Sequence, residues 1–205
     1  ALMAELRDEY ANMGLPIVIS GNLGPRADAY DPAQVDAADD YERYHRTQIE
    51  QFAGTAVDFV SAFTITNVPE AIGITRAACA AGLPVVISFT LETDGHLPTG
   101  VSLREAIEAV DDATASAPAY YMINCAHPDH FTHVLDGGAW CGRLRGIRAN
   151  ASRRSHAELD EATELDPGDP QELAAAYATL RARLPQLTVL GGCCGTDHRH
   201  VEAIA

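Results

Sequence analysis

Short apolar runs alternate with longer segments of helical periodicity along the whole chain. Continuous apolar runs of this length are typical of strands buried on both faces of a sheet. The repeated order of strand, loop and helix predicts a parallel sheet with right-handed crossover connections. Six strands are predicted, at residues 15–20, 57–65, 84–90, 119–124, 144–149 and 187–190.

Helices are predicted between the strands, where apolar side chains recur every three to four residues. The first covers residues 1–13 and ends at Gly14, and the next runs from about 32 to 52. The polar segment 152–168 is too long for an ordinary helix–strand connection, which predicts a functional or mobile loop. Later helices are predicted to begin after the capping residues Asn67 and Ser102, after either Asp197 or Thr196, and near Pro128. One more helix carries Leu173, Tyr177, Leu180 and Leu184.

The residues suited to chemistry all follow predicted strands, which is where (β/α)8 barrels place their active sites. Six strands do not close such a barrel, and the chain opens on a helix and stops a few residues into its last one. We therefore predict an α/β fold of the (β/α)8 TIM-barrel type that lacks its first two βα units, as one partial domain over residues 1–205. An open doubly wound sheet is the alternative, although no Gly-x-Gly-x-x-Gly motif follows any strand.

Composition excludes several classes of partner. The formal net charge of -15 argues against binding to nucleic acid or to an anionic membrane, and no apolar run approaches the roughly 18 residues of a membrane span. The N-terminal residues do not have the apolar core of a signal peptide, which predicts a cytoplasmic location. Five cysteines in such a chain are expected to be reduced thiols or metal ligands rather than a disulfide framework.

Two adjacent cysteines, Cys193 and Cys194, lie in a glycine-rich turn directly after the last predicted strand. A disulfide between neighbours strains the peptide that joins them, whereas both thiols can bind one soft metal ion. Cys125 holds the matching place after an earlier strand. Three thiolates from two strand ends predict a zinc site with one open position, as in catalytic zinc centres. The alternatives are small residues buried at tight turns and, for Cys193 and Cys194, a redox-active dithiol.

Two cysteine segments, Ile-Asn-Cys-Ala-His-Pro at 123–128 and Gly-Gly-Cys-Cys-Gly-Thr at 191–196, resemble the homocysteine S-methyltransferase family of zinc-dependent barrels. The segments 20–25, 88–90 and 149–151 also resemble strand-end loops of that family. The resemblance implies that Cys125, Cys193 and Cys194 bind Zn²⁺. It also implies a small-molecule thiol and a methyl donor as partners, and a role in methionine biosynthesis. The candidate substrate contacts are Thr64, Asn150 and Gly192.

One position departs from the family pattern. Phe63 stands where the family has a glutamate that contacts the amino group of homocysteine. A phenyl ring accepts no hydrogen bond from an ammonium group and offers only a cation–π face, so Glu92 or Asp94 is the alternative carboxylate. We predict zinc-dependent transfer of a methyl group from an onium or similar donor to a thiol such as homocysteine. The alternative is a relic of the family that binds zinc but has no activity. The sequence does not indicate the oligomeric state.

Other chemically active side chains have simpler interpretations. Cys79 is expected to pack within an alanine-rich helix and Cys141 to be structural. His127 forms a Cys-x-His pair with Cys125, and His198 and His200 are expected along the first turn of a surface helix. Four arginines form the one basic cluster, which is interpreted either as solvated charge or as a binding site for a substrate carboxylate: Arg145, Arg148, Arg153 and Arg154.

Overall fold

A parallel sheet forms the centre of the computed structural model, which describes residues 2–31 and 35–205. The described residues form six strands, and the spatial order of the strands follows their order in the sequence. This order confirms the predicted sheet and differs from a doubly wound arrangement, in which the strand order reverses. The strands are β1 Ser20–Leu23, β2 Phe59–Ile65, β3 Val85–Phe89, β4 Tyr120–Asn124, β5 Leu144–Ala149 and β6 Val189–Gly192.

Helices connect successive strands, as the parallel pairing requires. Asn67 caps one helix by accepting a hydrogen bond from the Glu70 amide at 2.8 Å, and Ser102 forms the predicted capping box with Glu105. Short 3-10 turns cover Ala11–Met13, Thr132–Val134 and Ala139–Arg143. The α-helices are α1 Leu2–Tyr10, α2 Ala38–Ala53, α3 Val68–Ala80, α4 Leu103–Thr114, α5 Pro128–Phe131, α6 His156–Asp160, α7 Pro170–Arg183 and α8 His198–Ile204.

The sheet curls, so side chains from non-neighbouring strands touch. The guanidinium carbon of Arg148 on β5 lies 4.9 Å from the ring centre of Phe63 on β2. In a flat sheet, strands three places apart would be separated by about 14 Å. The Thr64 amide also donates to Asn124 Oδ1 on β4 at 2.9 Å. We call the sheet surface that carries Phe63, Asn124 and Arg148 the concave face, and the curl confirms the predicted partial (β/α) barrel.

The hydrophobic core lies between the opposite face of the sheet and the helices. Ile65, Ile87 and Ile147 are fully buried there, together with Ile74 of α3 and Leu173 of α7. These residues come from the apolar runs and helical stripes of the sequence. The core therefore fixes the strands from one side and leaves their carboxyl ends free for the site.

Several predicted boundaries are wrong, and β2, for example, begins at Phe59 rather than at residue 57. The first strand covers Ser20–Leu23 rather than 15–20, and Leu15 and Val18 are each 64% exposed, since no described residue packs over them. α2 begins at Ala38, because residues 35–37 are not helical; positions 32–34 of the prediction lie outside the described residues. β6 lies two residues later than predicted, because backbone hydrogen bonds to β5 continue through its glycines.

The segment 152–168 contains a short helix, α6, which the sequence analysis did not predict. Ser155 accepts from the Glu158 amide and the Glu158 carboxylate accepts from the Ser155 amide, so the two form a capping box. None of the described helices combines the length and hydrophobicity that a membrane span requires. The single domain and the cytoplasmic location stay predictions.

Candidate metal and substrate site

Three thiols meet at the carboxyl ends of β4 and β6. The sulfur atoms of Cys125, Cys193 and Cys194 all lie within 4.8 Å of one another, and none is in a disulfide. Cys125 Sγ and Cys193 Sγ are 2.7 Å apart. Zinc–sulfur bonds of about 2.3 Å in a tetrahedron place sulfurs about 3.8 Å apart. The Cys125–Cys193 pair must therefore separate by about 1 Å to hold a zinc ion. Three convergent thiols are a donor set suited to a soft dication, and the assignment of these residues as ligands stays a prediction.

The backbone at the end of β5 aligns the two cysteine loops. The Cys125 amide donates to the Arg148 carbonyl at 3.1 Å, and the Cys193 amide donates to the Ala149 carbonyl at 2.8 Å. The pattern of the sheet thus continues one residue beyond β4 and β6. Both loops therefore leave the sheet at the same level along the strands, which brings their thiols together.

Asn150 joins the same loops through its side chain. The amide nitrogen Nδ2 donates to the Cys125 carbonyl at 3.0 Å, and Oδ1 accepts from the Cys194 amide at 3.2 Å. The side chain is buried, with 3% of the residue exposed. Both of its polar atoms therefore hold cysteine backbone, and its predicted contact with substrate stays a prediction.

Thr64 and Cys125 occupy backbone conformations that are costly for residues other than glycine. Their φ angles are 61° and 54°, and a residue held in this region costs about 1–3 kcal/mol. Asn124 Nδ2 donates to Thr64 Oγ1 at 2.8 Å, and Thr64 Oγ1 lies 3.8 Å from Cys125 Sγ. The strained bulge at Thr64 therefore places a hydroxyl beside the thiol cluster, and the predicted substrate contact of Thr64 stays a prediction.

The thiols polarise one another. Hydrogen bonds from Cys125 and then Cys194 lower the pKa of Cys193 far below the usual thiol value. The same contact with Cys193, followed by that with Cys194 and by burial, raises the pKa of Cys125. Hydrogen bonds within the cluster thus stabilise a thiolate, and the thiolate is the form of sulfur that binds metal.

His156 supports Cys125 from α6 and was not predicted from the sequence. Its Nε2 lies 2.6 Å from the Cys125 carbonyl, so Nε2 carries the proton and donates it. Its Nδ1 is 3.3 Å from Glu92 Oε1, and its ring lies 4.2 Å from that of Tyr30. The Ser-x-x-Glu spacing of the capping box before α6 was the sequence signal that could have indicated this helix.

Gly192 is the residue before the cysteine pair, and no side chain fits there. A Cβ atom at Gly192 would lie 2.1 Å from Thr196 Oγ1. Its carbonyl accepts from Arg148 Nε at 3.2 Å. Glycine therefore allows the turn to close on Thr196, and the predicted substrate contact at Gly192 stays a prediction.

A cavity of about 770 Å³ opens beside the thiols. Cys194, Asn150, His156 and Tyr30 line its inner end, and residues of the segment before α2 and of the segment around α6 form its walls. The described lining contains no lysine or arginine. Among the described residues, six carboxylates border the cavity: Asp28, Asp31, Glu92, Asp160, Glu164 and Asp166.

The predicted arginine cluster is divided by the structure. Arg153 pairs with Asp129 and Glu172 at the surface, with both distances 2.7 Å. The other three separate as follows: Arg154 lies 3.8 Å from Asp166, Arg145 is exposed, and Arg148 lies on the concave face against Phe63. Only Arg148 of the four therefore borders the cysteine loops.

The remaining candidates lie outside the thiol group. His127 is buried and caps α5 through Nδ1, which accepts from the Asp129 amide at 3.2 Å; burial lowers the pKa of His127 to about 4. His198 is exposed, but His200 is fully buried and bonded to the Pro167 carbonyl, so its predicted surface position is wrong. Cys79 is exposed on α3 rather than packed, whereas Cys141 is buried.

The two alternative carboxylates have different positions. Glu92 lines the cavity and faces His156, as described above. Asp94 lies in an exposed turn, where its Oδ1 accepts from the His96 amide at 3.0 Å. Of the two, only Glu92 is therefore placed to meet a ligand.

Known proteins share the fold of this chain. A family model described as homocysteine S-methyltransferase matches residues 1–205. The metallated form of the homocysteine methyltransferase MmuM from Escherichia coli is similar, with a TM-score of 0.75 at 19% identity. Its oxidised form gives 0.75 at 20% identity, and its apo form 0.71 at 19%. Each alignment covers 98% of this chain and 66% of the other. No curated protein matches the sequence.

Proposed function

This chain belongs to the homocysteine S-methyltransferase family, and from that premise we propose that it transfers a methyl group from an onium donor to a thiol in a zinc-dependent reaction. The convergence of three sulfurs within 4.8 Å carries the proposal. A neutral thiol is a poor nucleophile, and only a few per cent of a free thiol is ionised near pH 7. Zinc held by Cys125, Cys193 and Cys194 would supply the charge that keeps a substrate thiol ionised.

The protein's own part in the reaction is to hold the cluster rigid. Asn150 fixes the spacing between the two cysteine loops, and His156 holds the Cys125 carbonyl. Partners of this kind orient the ligand residues and typically change metal affinity 10- to 100-fold. Thr64 offers a hydroxyl to an acceptor that approaches Cys125. Such fixed groups supply the alignment that in-line methyl transfer requires.

The acidic cavity supports an onium donor. Six carboxylates and the ring of Tyr30 favour a positively charged sulfur or nitrogen centre by charge and by cation–π attraction. The same lining disfavours a donor with several negative charges, such as a methylated folate. When the methyl group leaves the cationic donor, the electron pair of the broken bond stays on the donor. The thiolate forms the new bond to the methyl carbon and becomes a thioether. The two reacting atoms are therefore neutral in the products, and the transfer requires no proton to move at the methyl carbon.

Metal content gives the first test. One zinc per chain is expected in the purified protein, and Cys194→Ser should lose most of it. Cys79→Ser is the matched control, because Cys79 is also exposed but lies outside the sulfur group. Metal-free protein with a reversible Cys193–Cys194 disulfide would contradict the proposal and favour a redox dithiol.

Product formation gives the second test. Incubation with homocysteine and a sulfonium donor should yield methionine, which is the basis for proposing a role in methionine biosynthesis. A protein that binds zinc stoichiometrically and methylates no thiol from any donor would be the inactive relic. The cytoplasm, where thiols stay reduced, is the proposed location.

A further inference from the structure

The Arg148 side chain is a cation in direct contact with one of the cysteine loops. Its Nε donates to the Gly192 carbonyl at 3.2 Å, directly before Cys193, and its own carbonyl accepts from Cys125. It forms no ion pair with the described carboxylates, whereas Arg143 and Arg153 are each paired with an aspartate. A half-buried guanidinium without a counter-ion among the described carboxylates, beside a candidate metal site, is suited to bind an anion.

The guanidinium is held in one orientation. The Phe63 ring lies 4.9 Å from its central carbon, and the bond to Gly192 uses one of its five N–H donors. Gly191 lies opposite Arg148 in the sheet register and adds no side chain over its stem. The terminal nitrogens therefore remain as a fixed fork, and this fork matches the two oxygens of a carboxylate.

Phe63 changes the charge of the same region. A glutamate at this position would pair with Arg148 and neutralise it, whereas the phenyl ring supports the cation and leaves its charge available. Phe63 and Arg148 together therefore form a position that favours an anion, where a glutamate at residue 63 would favour an ammonium group. The lining of the acidic cavity does not include Arg148 and carries the opposite charge.

We infer that Arg148 binds a carboxylate on the methyl acceptor, so that the acceptor is a short aliphatic thiol carboxylate and needs no ammonium group at this position. This inference rests on the proposed function, because it assigns the acceptor class of the same site. In this inference Arg148 is a substrate-binding residue, and Phe63 is the residue that positions the Arg148 side chain.

Binding of thiols to cobalt-loaded protein tests the inference without catalysis. The sulfur-to-cobalt absorption band reports each thiol, and four probes separate the charges: 3-mercaptopropionate, homocysteine, cysteamine and 2-mercaptoethanol. We expect 3-mercaptopropionate to bind at least about 10-fold more tightly than cysteamine, since one hydrogen bond between charged groups changes an affinity by about this factor. Equal affinity for these two probes in the unsubstituted protein would overturn the inference.

Variants locate the effect. Arg148→Gln should weaken 3-mercaptopropionate about 10- to 100-fold and leave 2-mercaptoethanol unchanged, and Arg148→Lys should recover part of the loss. Phe63→Glu should have the same effect on 3-mercaptopropionate, because its carboxylate would pair with Arg148. Arg145→Gln is the matched control, as Arg145 lies exposed on the same strand.

Two further outcomes distinguish a failure of this inference from a failure of the proposed methyltransferase function. If Arg148→Gln weakens all four thiols equally, Arg148 only balances the charge of the metal cluster, and the acceptor assignment is wrong while the methyltransferase proposal stands. If the protein binds no cobalt or no thiol at all, both are wrong.

Discussion

At the scale of single residues, the site depends on a few side chains that hold backbone rather than substrate. Asn150 and His156 both bond to the Cys125 carbonyl, and Cys125 itself has a φ of 54°. The sequence indicated the three thiols, because adjacent cysteines in a glycine turn have few other uses. It did not indicate His156 or Tyr30, because they lie on long connections whose return to the site depends on tertiary contacts.

Asn150→Ala should weaken zinc binding about 10- to 100-fold, the effect typical of residues that orient metal ligands. The substitution removes both hydrogen bonds that hold the Cys125 and Cys194 loops at a fixed spacing. Competition with a chromophoric chelator measures the affinity. Asn22→Ala, at an exposed asparagine of β1, is the control. Unchanged affinity in Asn150→Ala would show that the backbone alone sets the spacing.

At the scale of elements, the sequence predicted strands best where both faces are covered. All five residues of β3, Val85–Phe89, are buried, and their apolar run was sufficient to place the strand. The apolar run did not place β1, because Ser20–Leu23 pair through the backbone while Leu15 and Val18 before them are exposed. Helix ends with capping residues were predicted well, because a cap is a local feature.

Gly73→Ala should destabilise the contact between α2 and α3. A Cβ atom at Gly73 would lie 2.6 Å from the Ala38 carbonyl oxygen and 2.7 Å from the Glu42 nitrogen, both of which are backbone atoms. Overpacking of this kind costs about 1–3 kcal/mol. A fall in melting temperature of about 2 to 10 °C is expected for a chain of this size. Gly142→Ala, where nothing lies within 4 Å of the added carbon, should show no such fall.

Ala115→Gly should stabilise the protein. Ala115 ends α4 with a φ of 53°, in the left-handed region, where glycine avoids a steric cost of about 1–2 kcal/mol but loses more entropy on folding. A net gain of about 0.5 kcal/mol, or about 1 to 2 °C, is expected by thermal denaturation. The exposed Ala109 lies inside the same helix. Ala109→Gly should therefore destabilise by about 1 kcal/mol, and the opposite signs distinguish a conformational effect from lost helix propensity.

At the scale of the whole molecule, the candidate site connects parts of the chain that are distant in sequence. Cys125 and Cys193 are 68 residues apart, and β5 lies between their strands. A metal at the three sulfurs would link the last βα unit to the middle of the sheet. The net charge of -15 acts at the same scale, because the acidic cavity extends a negative surface up to the thiols.

Removal of metal should therefore loosen the C-terminal part of the sheet more than the rest. Binding to the folded state alone stabilises by about 4 kcal/mol when free zinc is 1,000 times the dissociation constant, so excess chelator should lower the melting temperature by several degrees. Hydrogen exchange should rise in the turn at 191–196 and at Cys125, and stay unchanged in β3. Cys194→Ser should melt near the metal-free value and gain nothing from added zinc. A chelator effect of equal size in Cys194→Ser would mean that the stabilising metal binds elsewhere, because that variant lacks one of the three sulfurs.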